Sequence, residues 1–241
     1  MASKTVAFFG ASTGIGLSAL KHTLAAGHQC IALCRVPSKL TDILLSSSNP
    51  NLQVVQGNAH DVAAVSQCLK KQDGNLVDAI VSTIGGKPVL SKLSIDDPHV
   101  CEKGIDTLLE ALALLRRDGA TGRPLLVIGS STGISRAGRD IPLAMVPLYH
   151  VGLKVPHQDK KILEARVLAS DEDYTIIRPS FLTDGETNTE IRVGVEDPKT
   201  GHESKAIGYT ISREDAGKWV ADVLLIKGDT KYLKKLVTIT Y

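Results

Sequence analysis

The chain has 241 residues, enough for one large α/β domain with a substantial core. Its 28 basic and 26 acidic residues give a formal net charge of +2, and this balance argues against a nucleic-acid-binding protein, which usually carries a basic block or stripe. No apolar run approaches the roughly 20 residues that span a bilayer, and no secretory signal is visible, so we expect a cytoplasmic protein without a membrane partner.

Strands and helices alternate along the chain, and each strand is short and continuously apolar, as is typical of parallel strands buried on both faces. The predicted strands are Thr5–Phe9, Gln29–Cys34, Leu52–Gln56, Ala79–Ser82, Leu125–Ile128, Tyr174–Arg178 and Leu236–Tyr241. The predicted helices are about Ile15–Ala26, Val100–Arg117, Asp159–Ala169 and Arg213–Leu225. This alternation predicts one Rossmann-type α/β domain over residues 1–241, with a doubly wound parallel sheet and right-handed crossovers.

The four cysteines have no metal-like spacing, so the sequence predicts no metal site. Cys30 and Cys34 belong to one predicted strand and would lie about 13 Å apart in it, too far for a disulfide. We therefore expect reduced, buried thiols. The serines Ser46–Ser48 indicate a surface loop.

Two segments, at about 133–156 and 182–210, are expected to form a small cover over the substrate. Ligands of doubly wound sheets bind beyond the carboxyl ends of the strands, and these segments follow two such ends. They contribute most of the side chains that would make an apolar pocket for a flat or hydrophobic molecule: Ile134, Leu143, Met145, Val146, Leu148 and Phe181.

The segment from Gly10 to Gly16 is a candidate dinucleotide-binding turn, with glycine also at Gly14. It follows a predicted strand and opens a predicted helix. Glycines there permit a tight turn and a close approach of the backbone to a pyrophosphate, and the helix N-terminus offers free N–H groups to an anion. We expect cofactor contacts from the residues of this turn, namely Gly10, Ser12, Thr13, Gly14, Ile15 and Gly16.

The end of the second strand favours NADP (NADPH) over NAD as the cofactor. Sites for NAD usually place an acidic residue there, about 20 residues beyond the glycines. This chain has Arg35 and, one helical turn later, Lys39, while the first acidic residue is Asp42. Arg35 and Lys39 are therefore the candidates to bind the 2′-phosphate.

The glycine motif resembles that of the short-chain dehydrogenase/reductase superfamily, and further segments resemble its atypical branch. Asp173–Pro179 (DYTIIRP) is similar to a strand of NmrA-like NAD(P)H-binding proteins, and Ile211–Ala216 (ISREDA) is similar to a helix start of that group. Ala32–Leu40 is similar to the corresponding stretch of the biliverdin reductase B (flavin reductase) family. The resemblance covers nearly the whole chain but says little about the substrate.

The resemblance implies further cofactor contacts. Asn58 and Ala59, after Gly57, are expected beside the adenine, although relatives usually have Asp at the position of Asn58. The remaining implied contacts are Thr83, Ile84 and Gly85 at the ribose and phosphates, Ser130 and Ser131 at the nicotinamide, and Pro179, Ser180 and Phe181 closing over the nicotinamide end.

The Tyr-x-x-x-Lys pair of typical short-chain dehydrogenases is absent. Tyr149 has Lys154 five positions later, so the helical spacing of four fails, and nearby prolines favour a loop at Tyr149. His157 with Lys160 or Lys161 is the candidate replacement. Ser131 is the best single candidate for a hydrogen bond to the substrate.

These features favour an NADPH-dependent oxidoreductase that reduces a small apolar or aromatic molecule such as a quinone, flavin, enone or ketone, as a monomer or a homodimer. Two alternatives stay open. One is a non-catalytic redox sensor of the NmrA type, because the usual catalytic pair is missing. The other is a non-redox isomerase or cyclase on the same fold.

Overall fold

The computed structural model describes residues 3–44, 49–89 and 94–241, so the loop predicted at Ser46–Ser48 lies outside the described residues. The strands are β1 (Thr5–Phe9), β2 (Gln29–Cys34), β3 (Leu52–Gln56), β4 (Ala79–Ser82), β5 (Pro88–Val89), β6 (Ser94–Ile95), β7 (Leu125–Gly129), β8 (Asp173–Pro179), β9 (Phe181–Thr183), β10 (Arg192–Asp197), β11 (Gly201–Ser204), β12 (Thr210–Ser212) and β13 (Lys235–Thr240). The helices are α1 (Gly14–Ala25), α2 (Ser38–Leu44), α3 (Val62–Cys68), α4 (Val100–Arg117), α5 (Lys154–Ala169) and α6 (Arg213–Trp219).

The main sheet confirms the doubly wound Rossmann arrangement. Within the described residues its strand order is β11-β10-β13-β8-β7-β4-β1-β2-β3. The pairs from β3 across to β13 are parallel. The chain runs from β1 outward through β2 and β3, and then returns to the other side of β1 with β4. The switch point therefore lies between β1 and β4, where such sheets bind ligands.

Alternate residues of the strands pack against helices on opposite faces of the sheet. Ala7 and Phe9 of β1 belong to a core cluster with residues of α3, α4 and α5. Val6 and Phe8 belong to a second cluster with residues of α1 and α6. This period of two explains why β1 is apolar throughout, because both of its faces are buried.

Helices α1 and α4 have nearly the bounds predicted from the sequence, whereas the other helices differ from the prediction in bounds, type or presence. Gly27, with φ +81°, ends α1 as expected. The predicted helix from Arg213 continues past α6 as a π-helical segment, Val220–Ile226. Short helices α2 and α3 were not predicted. Within the described residues, no helix has both the length and the apolar character that a membrane span requires.

Helix α5 begins at Lys154, earlier than the predicted start at Asp159. Pro156 lies in its first turn, where a backbone N–H has no partner within the helix, so proline does not interrupt the hydrogen bonding there. Tyr149 does not lie in a loop as predicted. It lies in a π-helical turn, Leu148–Gly152, that leads into α5.

The second cover segment contains more regular structure than the sequence suggests. Strand β10 pairs antiparallel with β13 and so extends the main sheet, and β11 pairs antiparallel with β10. Strands β9 and β12 form a separate parallel pair. The four cysteines are buried and unpaired.

Candidate functional site

The turn between β1 and α1 has the geometry of a dinucleotide cradle. Gly10 has φ +86° and Gly14 has φ +58°. A Cβ at Gly10 would lie 2.9 Å from the carbonyl atoms of Thr83, and one at Gly16 would lie 2.6 Å from the carbonyl oxygen of Gly10. Glycine is therefore required at both ends of the turn, because the turn packs closely against itself and against the residue after β4.

The first turn of α1 has free capacity for an anion. Its N-cap residue, Thr13, makes no side-chain capping hydrogen bond, and no acidic residue stands in the first turn. The N–H groups at this end and the helix dipole thus favour a phosphate.

A cavity of about 330 Å³ opens beside this turn, at the carboxyl ends of the central strands. Eight of the predicted cofactor residues line it: Gly10, Thr13, Arg35, Asn58, Ala59, Thr83, Ile84 and Gly85. Ser12, Gly14, Ile15 and Gly16 belong to the adjoining turn. The cavity therefore joins the predicted glycine turn to the predicted adenosine contacts.

Arg35 and Lys39, the two predicted ligands of a 2′-phosphate, differ in position. Arg35 follows β2 and lines the cavity. Its guanidinium makes no hydrogen bond or ion pair with another residue of the described ranges. Lys39 is exposed on α2 and does not line the cavity. The geometry therefore favours Arg35 alone.

Sequence reasoning missed one wall of the cavity, which comes from the segment between β4 and α4. This wall consists of Lys87, Asp96 and Asp97, with Val100 at the start of α4. Leu33 of β2 and His60 after β3 also line the cavity. Asp96 accepts a hydrogen bond from the Lys87 N–H (2.8 Å), and Asp97 pairs with Lys103 (2.9 Å). The backbone N–H of His99, and then Lys103, lower the pKa of Asp97. These contacts join residues far from the glycine turn in sequence, and no motif marks them.

Ser131, His157 and Tyr149 come together after β7. Ser131 Oγ lies 3.3 Å from His157 Nε2 and donates to the Thr132 carbonyl oxygen (3.0 Å). Burial, with the nearby charges of Lys161 and His150, lowers the pKa of His157 to about 4. His157 is therefore neutral at pH 7.

Tyr149 is buried next to this pair, and its position does not favour a role as a general acid. Its ring centroid is 5.4 Å from that of His157, and its hydroxyl accepts from Thr132 Oγ1 (3.3 Å). Burial raises the pKa of Tyr149, which makes it a poorer proton donor at neutral pH. The geometry gives Tyr149 a packing contact with His157.

Lys160, not Lys161, reaches the strand ends. Lys160 Nζ donates to the carbonyl oxygens of Ile84 (2.9 Å) and Gly129 (2.6 Å), at the ends of β4 and β7. Lys161 is exposed and lies away from the nucleotide cavity. Of the two lysines that the sequence left open, Lys160 therefore connects the cavity wall to the Ser131 region.

Ser130 and Ser180 have hydroxyls engaged within the protein, unlike the expectation that they face the nicotinamide end. Ser130 Oγ donates to the buried carboxylate of Glu164 (2.6 Å). Ser180 Oγ donates to Thr240 Oγ1 (2.8 Å). Pro179 is buried, with its carbonyl oxygen accepting from the Thr132 N–H (3.2 Å). Phe181, with 42% of its surface exposed, stays available to a ligand.

The predicted apolar pocket is divided between core and surface. Ile134 is 4% exposed and belongs to the core, whereas Leu143 is 72% exposed and Leu148 is 41% exposed. Met145 and Val146 are half-buried between them. The exposed members belong to the first cover segment, which leads into α5 and His157.

Comparison with known proteins agrees with this geometry. The model of the NAD(P)H-binding family matches residues 10–226. The chain is 43% identical to Reductase pytE of Aspergillus terreus over 98% of each chain. It is 30% identical to Oxidase pynE of Aspergillus niger, over 100% of this chain and 99% of that protein.

A solved structure shows the same fold at low identity. It is a short-chain dehydrogenase/reductase (wide type) from Veillonella parvula in complex with NADP. It has a TM-score of 0.74 and 14% identity, and the match covers 100% of this chain and 95% of that chain. From the family match and the relatives in Aspergillus, this chain belongs to the NAD(P)H-binding family.

Proposed function

We propose that this protein is an NADPH-dependent reductase of a small apolar or aromatic molecule such as a quinone, flavin, enone or ketone. The family description and the reductase and oxidase names of the relatives support oxidoreductase chemistry. The observation that carries the choice of NADPH is the position of Arg35, which lines the cavity without a partner among the described residues.

The expected preference for NADPH over NADH follows from the charge of the 2′-phosphate. A guanidinium binds a phosphate through charge-assisted hydrogen bonds of about 1.5–3 kcal/mol each. NADH lacks the 2′-phosphate and would gain none of them, so about a hundredfold preference for NADPH is expected. Of the two acidic residues that line the cavity, Asp97 is paired with Lys103 and Asp96 accepts hydrogen bonds from the backbone N–H groups of Lys87 and Asp97.

The glycine turn, the cavity and Lys160 would hold the cofactor, which supplies a hydride when bound. Ser131 follows β7 and would donate a hydrogen bond to the substrate oxygen. His157 Nε2, 3.3 Å away, would orient the Ser131 hydroxyl. Because His157 is neutral at pH 7, we assign it this positioning role and assign the proton to solvent.

The exposed apolar side chains support an apolar substrate. Leu143, Leu148 and Phe181 are three of the eight large apolar residues that are exposed among the described residues, at 72%, 41% and 42%. Leu143 and Leu148 belong to the segment that leads into α5, and Phe181 follows β8. A flat molecule bound at the strand ends would cover apolar surface on these residues.

The test is calorimetric titration of the wild type, Arg35→Ala and Lys39→Ala with NADPH and NADH, together with a turnover screen over quinones, flavins and enones. We expect Arg35→Ala to weaken NADPH binding about a hundredfold and to leave NADH binding unchanged. Lys39→Ala is the matched control and should bind both cofactors as the wild type does.

Equal, weak binding of NADPH and NADH by the wild type would contradict the assignment of Arg35. Similar affinity for oxidised and reduced cofactor without any turnover would instead identify a redox sensor. Product formation without consumption of NADPH would identify a non-redox enzyme.

A further inference from the structure

We propose that Arg213 is a ligand of the cofactor diphosphate and that Asp184, its ion-pair partner, competes with the diphosphate for the guanidinium. This inference rests on the dinucleotide site at the glycine turn. It does not depend on the choice between NADPH and NADH, because both carry the same diphosphate.

Arg213 lies directly against the glycine turn although it is far from it in sequence. A Cβ built on Gly14 would lie 3.3 Å from Arg213 Cδ and 3.9 Å from Arg213 Nε. Gly14 is the first residue of α1, so the guanidinium stands beside the helix end whose N–H groups favour an anion. A cation at this place adds a charged donor to the backbone N–H donors of the turn.

The position of Arg213 is fixed by close packing of α6 against α1. Ser18 Oγ of α1 donates to the carbonyl oxygen of Glu214 (2.6 Å). A Cβ at Gly217 would lie 2.5 Å from the carbonyl oxygen of Ile15, so the two helices approach as closely as glycine permits. The base of the Arg213 side chain therefore cannot move away from Gly14 without separating these helices.

The existing partner of Arg213 is weakly held. Arg213 Nη1 lies 2.6 Å from Asp184 Oδ1, and 80% of the Asp184 side chain is exposed, as is 35% of that of Arg213. Water and salt screen an ion pair this open, so it contributes little to stability. A diphosphate at the α1 terminus carries more charge than one carboxylate and would compete for the guanidinium.

Asp184 would stay close after releasing Arg213, because its neighbours are attached independently to α6. The Gly185 N–H donates to Glu214 Oε2 (2.9 Å). Thr187 Oγ1 donates to Asp215 Oδ2 (2.8 Å). Substitution of Asp184 therefore removes one exposed contact and leaves this part of the cover segment in place.

The experiment measures binding of ADP-ribose, NADPH and adenosine 2′-monophosphate to the wild type, Arg213→Met, Arg213→Lys and Asp184→Asn. Adenosine 2′-monophosphate has the 2′-phosphate but no diphosphate. We expect Arg213→Met to bind ADP-ribose and NADPH about tenfold more weakly and adenosine 2′-monophosphate unchanged, with a smaller loss for Arg213→Lys. Asp184→Asn should bind ADP-ribose as tightly as the wild type or a few-fold more tightly.

Arg35→Ala is the complementary control, since it should lose adenosine 2′-monophosphate and keep ADP-ribose. Wild-type affinity of Arg213→Met for ADP-ribose would overturn the proposal. An equal loss for all three ligands would also overturn it, because it would show a distorted turn rather than a lost ligand. Should Arg213→Met fail to fold, Arg213→Lys and Asp184→Asn decide the question. If the wild type bound none of the three ligands, the dinucleotide site itself would be wrong.

Discussion

Two adjacent lysines of α5 illustrate how a single position along a helix changes the contacts of a side chain. Lys160 donates to the main-chain oxygens of Ile84 and Gly129, and Ile84 lines the nucleotide cavity. Lys161 lies roughly 100° further around the helix and is exposed. Lys160 therefore contacts the cavity wall, whereas Lys161 does not line the cavity.

We predict that Lys160→Met lowers the affinity for NADPH about tenfold, because the carbonyl oxygens at two strand ends lose a charged donor. Lys161→Met is the matched control and should leave that affinity unchanged. Fluorescence titration with NADPH measures both. An equal loss in the two variants, or a loss in Lys161→Met alone, would show that the exposed lysine takes part in binding.

Ser130 and Ser131 show why the sequence alone could not assign the residues after β7. The two neighbouring side chains have different partners. Ser130 contacts the buried carboxylate of Glu164, and Ser131 contacts His157. The sequence locates the strand end within a residue or two. The direction of each side chain depends on the last residue that keeps the strand alternation, and this is a property of the folded backbone.

At the scale of single elements, Asp159 links α5 to the start of α4. The N-cap residue of α4, His99, makes no side-chain capping hydrogen bond. Instead Asp159 Oδ2 accepts from the Cys101 N–H and Asp159 Oδ1 from the Glu102 N–H, each at 2.8 Å. The carboxylate is 1% exposed, so a residue distant in sequence provides the cap.

We predict that Asp159→Ala lowers the free energy of unfolding by about 2–4 kcal/mol, because two N–H groups lose a charged acceptor in a buried place. Asp159→Asn should lose less, since its amide oxygen can still accept. Urea unfolding at pH 7 measures both variants. Asp106→Ala, on the exposed face of α4, is the control and should change stability by less than about 1 kcal/mol. If Asp159→Ala also changed the free energy of unfolding by less than about 1 kcal/mol, water would replace the carboxylate at this helix end.

The elements that the sequence predicted share a strong local signal, and the missed ones lack it. Strands β1, β2 and β4 are continuous apolar runs followed by glycine, arginine or threonine at the ligand-binding edge. Strand β10 contains Gly194, and its valines alternate with glycine and charged residues, so it lacks the continuous apolar run of the central strands. The turn after β10 has a sequence signal, the aspartate Asp197, because Asp is typical of turns. In the structure, Asp197 Oδ1 accepts hydrogen bonds from the N–H groups of Lys199 and Thr200.

At the scale of the whole molecule, a buried ionic network joins the Rossmann core to its antiparallel extension. Arg178 of β8 is 2% exposed. It pairs with Glu164 of α5 (2.7 Å) and with Glu196 of β10 (2.8 Å). Ser130 and Ser135 donate to the same two carboxylates, each at 2.6 Å. The network thus connects the end of β7, the first cover segment and β10.

The sequence predicted the position of Arg178 but not its partners. The segment Asp173–Pro179 identified the strand through its resemblance to the family. Glu164 and Glu196 lie on separate elements, and one of these, β10, was not predicted at all. Ion pairs between distant elements depend on the order of strands in the sheet, which in this molecule places β13 between β8 and β10.

We predict that Arg178→Met lowers the free energy of unfolding by about 3–5 kcal/mol, because it leaves two buried carboxylates without their cation. Adding Glu196→Gln to Arg178→Met should recover part of the loss, since it removes one of the uncompensated charges. Arg123→Met is the control: its pairs with Asp171 and Asp173 involve a half-exposed side chain, and its loss should stay below about 1 kcal/mol. Urea unfolding at pH 7 compares the variants. Equal losses in Arg178→Met and Arg123→Met would mean that water enters the network, and a double variant less stable than Arg178→Met would mean that Glu196 contributes through contacts other than its charge.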